Sequence, residues 1–302
     1  MRGARFMKEA VNLSKLPDSP AGTDAVARIE AALAARSRFD AAAHLRLMVG
    51  ASQVGWLPRA HAEILLAQPT VPAALEARGA HEVALLPRCT DFAARSAALA
   101  ELARWLAGAG HVRGWRDELF AVTPALQAPA LAVVERAAAR FFGLLTFASH
   151  MNGIVGDGDG RRRFWIARRS PAKAVDPGMW DNLVAGGMPH GSDPLATLVR
   201  ECEEESGIPP DLAAQAQACG VIEVLRELPE GVQWEAVHAY DLLLPAGFIP
   251  VNRDGEVAEH RLIEPGPLLA IMADGAMTVD ATLVTLDALR RRGWAASGTS
   301  RA

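Results

Sequence analysis

The segment from Gly186 to Ile208, GGMPHGSDPLATLVRECEEESGI, constrains this chain more than any other, because it joins a glycine-rich loop to a helix whose start, faces and end are all set locally. Asp193 followed by Pro194 marks the start: the carboxylate accepts from first-turn amides that lack partners, and proline's missing N–H costs nothing there. Leu195, Leu198, Val199 and Cys202 recur at the spacing of one helix face and predict a buried stripe. Glu201, Glu204 and Glu205 repeat that spacing on an adjacent face, so their carboxylates are expected to converge. Convergent like charges destabilise a bare helix. A hard divalent cation, which takes oxygen ligands from carboxylates, waters and phosphates, removes that penalty. The segment therefore reads as a site for magnesium, or manganese in its place, and a diphosphate. A solvated acidic face is the ordinary reading of a Glu-rich helix. The ordered succession of loop, cap, Arg200-Glu201, Glu204-Glu205 and the Gly207-Ile208 stop argues against it.

Started at Gly186, the segment resembles the Nudix hydrolase signature, G-x5-E-x7-R-E-U-x-E-E-x-G-U with U aliphatic. Arg200, Glu201, Glu204, Glu205, Gly207 and Ile208 fall in register, whereas Ser192 stands at the signature's first Glu and Cys202 at an aliphatic position. The resemblance implies metal binding by Glu201, Glu204 and Glu205, catalysis through Glu204 and Glu201, and a loop formed by Gly186 and Gly187. Arg200 is placed to pair with Glu204 four residues on and so steady a ligand. A further acid from outside the helix is expected. Glu256 is the first choice, because Asp254-Gly255-Glu256 follows a strand and loop that can return to the metal; an ordinary turn bearing a surface charge is the alternative. With serine at 192, the general base is left between Glu204 and Glu256.

At 302 residues the chain is long for one domain, and two are expected. A formal charge of -4 gives no basis for general affinity to nucleic acid or anionic membrane, so the expected partner is a small-molecule diphosphate. No apolar run reaches bilayer-spanning length. Arg2, Arg5 and Lys8 precede no continuous apolar stretch, so a secretory signal is not expected and a cytoplasmic location is. Cys89, Cys202 and Cys219 are odd in number and widely spaced, against both a disulfide framework and a structural zinc site.

Residues 1–22 read as a poorly ordered lead-in, with Pro17, Pro20 and Gly22 breaking any helix. An alanine-rich helix over residues 25–35, two strands around a turn over 45–57, a helix from His61 and a helix over 93–106 make a small α/β domain spanning 23–128. A helix over residues 130–142 then leads into strands at 148–155, 163–168 and 237–244, with a hairpin turn at residues 156–160. Asp280 is expected to cap a closing helix over 281–292. The domain at 129–296 is thus expected to be a mixed sheet between helices, making the whole chain α/β.

His150-Met151-Asn152-Gly153, Trp165 to Ser170, Pro177 to Gly187 and Asn252 to Val257 occur in that order. Together they are similar to the Nudix subfamily whose fungal members are fused to thiamine pyrophosphokinase. An extra N-terminal domain precedes the Nudix α-β-α sandwich in that subfamily, and Val54-Gly55-Trp56 and Trp115-Arg116-Asp117-Glu118 resemble it. What this implies is hydrolysis of thiamine diphosphate, or its oxidised forms, to the monophosphate and phosphate. A Nudix enzyme for ADP-ribose, a dinucleotide or a coenzyme A derivative is the alternative, and a non-catalytic diphosphate-binding module, supported only by Ser192, is the second. Substrate contacts are expected from Arg168, Asn182, His150 and Asn152, set against structural roles for each. Arg168 and Arg169, adjacent on a strand, point opposite ways, so one of them faces solvent. Trp180 and Trp234 are candidates for stacking, though core packing is the commoner use of a tryptophan. The N-terminal domain is left three roles: a wall of the pocket, a dimer surface, or support for the fold.

Overall fold

The structure, a computed structural model, describes residues 20–67, 74–156 and 162–294. Helix α1 (Pro20–Arg36) opens on the proline expected to break it and runs through Gly22. Proline at a helix start forfeits no hydrogen bond, and one internal glycine costs only about 1 kcal/mol. Residues 1–19 of the expected lead-in lie outside the described residues. Next come β1 (His44–Val49), β2 (Ser52–Pro58), α2 (Arg59–Leu66), β3 (Leu75–Ala77) and β4 (Glu82–Leu85). The four strands form one sheet, β2-β1-β4-β3, in which only β1 and β4 run parallel. α3 (Phe92–Gly108) starts where Asp91 accepts from Ala94 N at 2.8 Å, and its Leu99, Leu102 and Leu106 share a core with Leu45, Leu47 and Leu85 of the sheet.

β5 (Leu119–Val122) and β6 (Ala132–Glu135) pair as an antiparallel ribbon. The helix expected over residues 130–142 therefore does not form. Alanine favours helix, but the β-branched Val133 and Val134 gain a pairing partner from outside the local window, with Ala132 and Val134 turned inward. The first core continues through Phe142 and Leu144, past the junction expected near residue 128, because β6 and the turn after it pack with the first sheet. Gly143 makes the crossing possible. Trp56 N–H donates to its carbonyl at 2.8 Å, its φ is 59°, and a Cβ there would stand 1.9 Å from Trp56 O.

The remaining elements are β7 (Leu145–Gly156), β8 (Arg162–Arg169), β9 (Trp180–Asn182), β10 (Val184–Gly187), α4 (Pro194–Ser206), α5 (Pro210–Ala213), β11 (Gln217–Leu228), β12 (Gly231–Leu244), β13 (Val257–Ile263), α6 (Pro265–Ala273) and α7 (Val279–Arg291). Their sheet has the order β11-β12-β7-β8-β13, with β10 added on β7 and β9 on β8, and β12–β7 as its parallel pair. β7 and β8 pair antiparallel; most of the turn expected between them, residues 157–161, lies outside the described residues. Alternation along β7 splits the core. Ile154 packs with Leu268, Met272 and Leu289 of α6 and α7, whereas Met151 and Val155 pack with Leu198 and Cys202 of α4. The sheet thus lies between two helical layers.

Two expectations change here. Val26 and Ile29 of α1 share the core of α6 and α7, so this helix packs on the second unit although it lies within the expected 23–128 domain. α7 is capped by Thr278, whose Oγ1 accepts from Ala281 N at 3.3 Å, and Asp280 falls in the first turn.

Beneath α7, Asp241 of β12 accepts from Asn152 Nδ2 at 2.9 Å and pairs with Arg291 and Arg292, each at 2.7 Å. Burial alone would raise its pKa, but the hydrogen bond from Arg291, with Arg292 and Asn152, holds the carboxyl below its ordinary value. A depressed folded pKa means the stabilisation is complete above the unfolded value of about 3.9 and is lost as pH falls through the folded one. Asp241→Asn is expected to cost about 2 kcal/mol at neutral pH. Thermal melts from about pH 3 to neutral should also show a shallower acid loss for the variant; an unchanged Tm at neutral pH would mean the cluster contributes nothing.

Candidate active site

α4 follows its local plan. Asp193 accepts from Ala196 N at 2.8 Å, Gly207 takes the left-handed conformation at φ 62°, and Ile208 N–H closes the end on Cys202 O at 3.0 Å. The buried stripe is shifted from the expected one: Leu198 and Cys202 are buried, Val199 is half-buried and Leu195 is 39% exposed, while Glu201 and Glu205 lie inside. Ser192 Oγ meets Thr197 Oγ1 at 2.9 Å and so ties the loop to the first turn. Burial pushes the Cys202 thiol far up, leaving a packing residue rather than a nucleophile.

The three carboxylates share the helix but do not converge. Glu205 Oε2 accepts from Ala185 N at 2.9 Å, Glu204 pairs with Arg200 at 3.1 Å, and Glu201 pairs with Arg200 at 2.6 Å beneath Gly186. Helical spacing places Cα atoms on one face; side-chain torsions then took each oxygen to a nearer donor. Among the described residues no group of three acidic, histidine or cysteine side chains stands assembled around one point. The donor chemistry still fits a hard divalent cation. Burial, opposed by Arg200, leaves the Glu201 carboxyl above its ordinary pKa. Burial and then the Glu201 charge raise Glu205, against Lys173 and the Ala185 N–H. Buried carboxylates whose ionised forms are disfavoured by burial and by a neighbouring carboxylate are stabilised by a nearby cation.

A cavity of about 600 Å³ opens beside β10, lined by Gly186 and Gly187 and by residues of both units. Arg116 and Arg136 come from the first unit, Arg169 and Lys173 from the second. Arg136 Nη1 donates to Glu118 at 2.6 Å, and Glu118 lies 4.0 Å from Arg200, which links the first unit to the acidic helix. Gly187 has room for no side chain, since a Cβ would stand 2.8 Å from Phe120 Cζ. A smaller void shares Arg169, Lys173, Asp181 and Ala185 with this cavity and reaches Glu205 and Glu256. Burial lowers the Lys173 pKa, against the pull of Glu205. Glu256, expected at this site, is held there by Arg116 at 2.9 Å and by a close contact with Lys173. Glu201 and Glu204 do not line the cavity themselves, although Gly186, which covers Glu201, does.

The other polar candidates divide. His150 lines the cavity, its Nδ1 3.0 Å from Asn182 Oδ1. Asn182 and Asn152 are buried and do not line it, although Asn182 lines the smaller void with Glu205 and Glu256. Asn182 Nδ2 donates to Asn152 Oδ1 and Thr285 Oγ1, each at 3.0 Å, so both asparagines knit β7 and β9 to α7 rather than face the cavity. Arg168 points outward, donating to Gly178 O at 3.0 Å, and its neighbour Arg169 faces the cavity and pairs with Asp181 at 3.0 Å. Trp180 is packed in the core beneath Arg261, and Trp234 donates to Glu223 at 2.6 Å. Arg136, Lys173 and Asp181 escaped the sequence reading, because no local pattern marks a residue that becomes functional only through a distant partner.

The chain matches the NUDIX domain family over residues 149–277 and a domain of unknown function, DUF4743, over residues 26–146. It is 42% identical over 200 residues to Nudix hydrolase 24, chloroplastic, of Arabidopsis thaliana, and 39% identical over 201 residues to Nudix hydrolase 20, chloroplastic, of the same plant. Each match covers 66% of this chain and 54% of the relative, so the chain spans about half the length of these proteins. The crystal structure of DR0079 from Deinococcus radiodurans aligns at a TM-score of 0.42 with 22% identity, over 56% of this chain and 98% of that one. Among the described residues no helix is long and apolar enough to cross a membrane.

Proposed function

We propose that this chain is a divalent-metal-dependent hydrolase of diphosphate linkages, and that its substrate is thiamine diphosphate or an oxidised derivative, cleaved to the monophosphate and phosphate. The observation that carries the hydrolase assignment is the cavity itself, in which Arg116, Arg136, Arg169 and Lys173 surround the glycine loop over two buried carboxylates. Guanidinium groups take phosphate oxygens in pairs, and a loop without side chains lets the diphosphate approach the backbone. When bound, a divalent ion held by Glu201, Glu204 and Glu205 supplies neutralisation of the diphosphate charge and a more acidic water. Glu204 or Glu256 takes the proton from the attacking water, and the arginines and Lys173 stabilise the departing phosphate.

Two things support the thiamine assignment. One is the likeness of Trp165 to Ser170, Pro177 to Gly187 and Asn252 to Val257 to the thiamine-linked subfamily. The other is the further lining of the cavity by Asp176, Glu235 and Asp280, where Asp280 Oδ1 is buried without a hydrogen-bond partner among the described residues. Carboxylates there suit an organic part with positive charge and amino groups, as a thiamine ring system has. Phosphate release with Mg²⁺ from thiamine diphosphate, its oxidised forms, ADP-ribose and a coenzyme A ester tests the assignment. Turnover concentrated on the thiamine compounds is expected. Turnover of nucleotides alone would discard thiamine and keep the hydrolase, and binding without any turnover would favour a non-catalytic module.

A further inference from the structure

We propose that Arg116, in the first unit, is a positioning residue of the hydrolytic site: it fixes the carboxylate of Glu256 opposite Lys173, so the site is complete only when both units contribute. The inference rests on the assignment of Glu256 as an acid of that site. Glu256 is gripped at both oxygens. Arg116 Nη1 donates to Oε1 at 2.9 Å, and the Lys173 ammonium contacts Oε2. These residues come from three segments far apart in sequence, ahead of β5, between β8 and β9, and ahead of β13.

The backbones of Arg116 and Glu256 are each tied by hydrogen bonds. Arg116 N–H donates at 2.9 Å to Glu135 Oε1, and the Glu135 side chain, buried in the first unit, also accepts from Ala137 N at 3.3 Å. Two residues earlier, Gly114 at φ 74° brings the backbone so close to the Lys173 loop that a Cβ would stand 3.1 Å from that of Ala174. Ser170 N–H donates to Glu256 O at 2.8 Å, and Glu256 N–H donates to Asp254 Oδ1 at 2.8 Å. The backbone of Glu256 is thus set by its own loop, and the direction of its carboxylate by two cations, one of them from the other unit. Lys173, 9% exposed, also borders the void that contains Glu205. Loss of Arg116 leaves Glu256 with Lys173 alone and frees it to rotate away from the void it shares with Lys173 and Glu205. Charge-assisted hydrogen bonds are the strong ones, and removing a partner of a functional carboxylate typically costs roughly 10- to 100-fold.

The test is a double-mutant cycle on the full chain with Arg116→Gln, Glu256→Gln and the double variant, with Arg116→Lys as the conservative replacement. The readouts are Mn²⁺ binding by electron paramagnetic resonance of the free ion, and kcat and KM on thiamine diphosphate. Arg116→Gln is expected to weaken Mn²⁺ binding and lower kcat/KM by roughly 10- to 100-fold. Its Tm should not move, because the side chain is 39% exposed. Arg116→Lys should recover most of the loss, and the double variant should be no worse than Glu256→Gln alone. Additive losses, or an Arg116→Gln variant like the parent, would overturn the inference. Parent-like behaviour of Glu256→Gln, with Glu204→Gln still inactive, would remove Glu256 from the site and the inference with it, leaving the hydrolase assignment standing. A parent chain that neither binds Mn²⁺ nor releases phosphate would overturn both.

Discussion

Glu204→Gln is expected to lower kcat by roughly 100- to 1,000-fold, equivalent to about 3 to 4 kcal/mol of barrier, while the protein stays folded. The side chain is 44% exposed and its partner is Arg200 at 3.1 Å, so the fold loses one exposed helix ion pair. Such a pair contributes about 0.3 to 0.5 kcal/mol, too little to shift a melting curve by more than a degree or two. The chemistry loses much more. Glutamine keeps the shape and removes the negative charge that a hard cation needs and the basicity that proton removal needs. Steady-state kinetics against the Mg²⁺ concentration, with a melting curve beside them, check this. A folded variant with parental kcat would mean that Glu204 is only a solvated surface charge and takes no part in the reaction.

Gly186→Ala is expected to damage both stability and turnover. A methyl group on β10 at this position would stand 2.2 Å from Glu201 Cγ, 2.3 Å from Cδ and 2.5 Å from Oε1. The Glu201 side chain cannot swing away cheaply, because it is buried and paired with Arg200 at 2.6 Å. Overpacking of this kind costs about 1 to 3 kcal/mol. Whichever neighbour gives way, a carboxylate assigned to the metal moves, so activity should fall at least ten-fold, since small displacements at a reacting centre are costly. Melting temperature and kcat measured on the same preparation separate the two effects. An alanine variant with parental turnover would show that Glu201 does not need the position it holds.

Both predictions concern a stretch that is legible without coordinates, for a physical reason. Asp193, Pro194 and Gly207 act on amides and carbonyls a few residues away, so the limits of α4 are written into its own neighbourhood. The same locality makes the β1–β2 hairpin readable from its alternation around Gly50. It fails at β6, where alanine's helical preference yields to a ladder with β5, and at Thr278, which caps α7 two residues before the acid that looked suited to the task. Strand parity gave half of another answer: Arg168 and Arg169 had to face opposite ways, but only the loop ending at Gly178 and the placement of Asp181 decide which one meets the cavity.

The sequence by itself determined the helix, its cap and stop, the set of carboxylates it carries and the glycines that precede it, because each depends on contacts within a turn or two. Tertiary structure alone decided where those oxygens point, that Asn182 donates to Asn152 across the sheet, and that Arg116 and Lys173 close on Glu256. Direction and pairing of charged side chains are set by which distant segments share a surface, and the gain from each such contact exists only after the chain between them has been ordered.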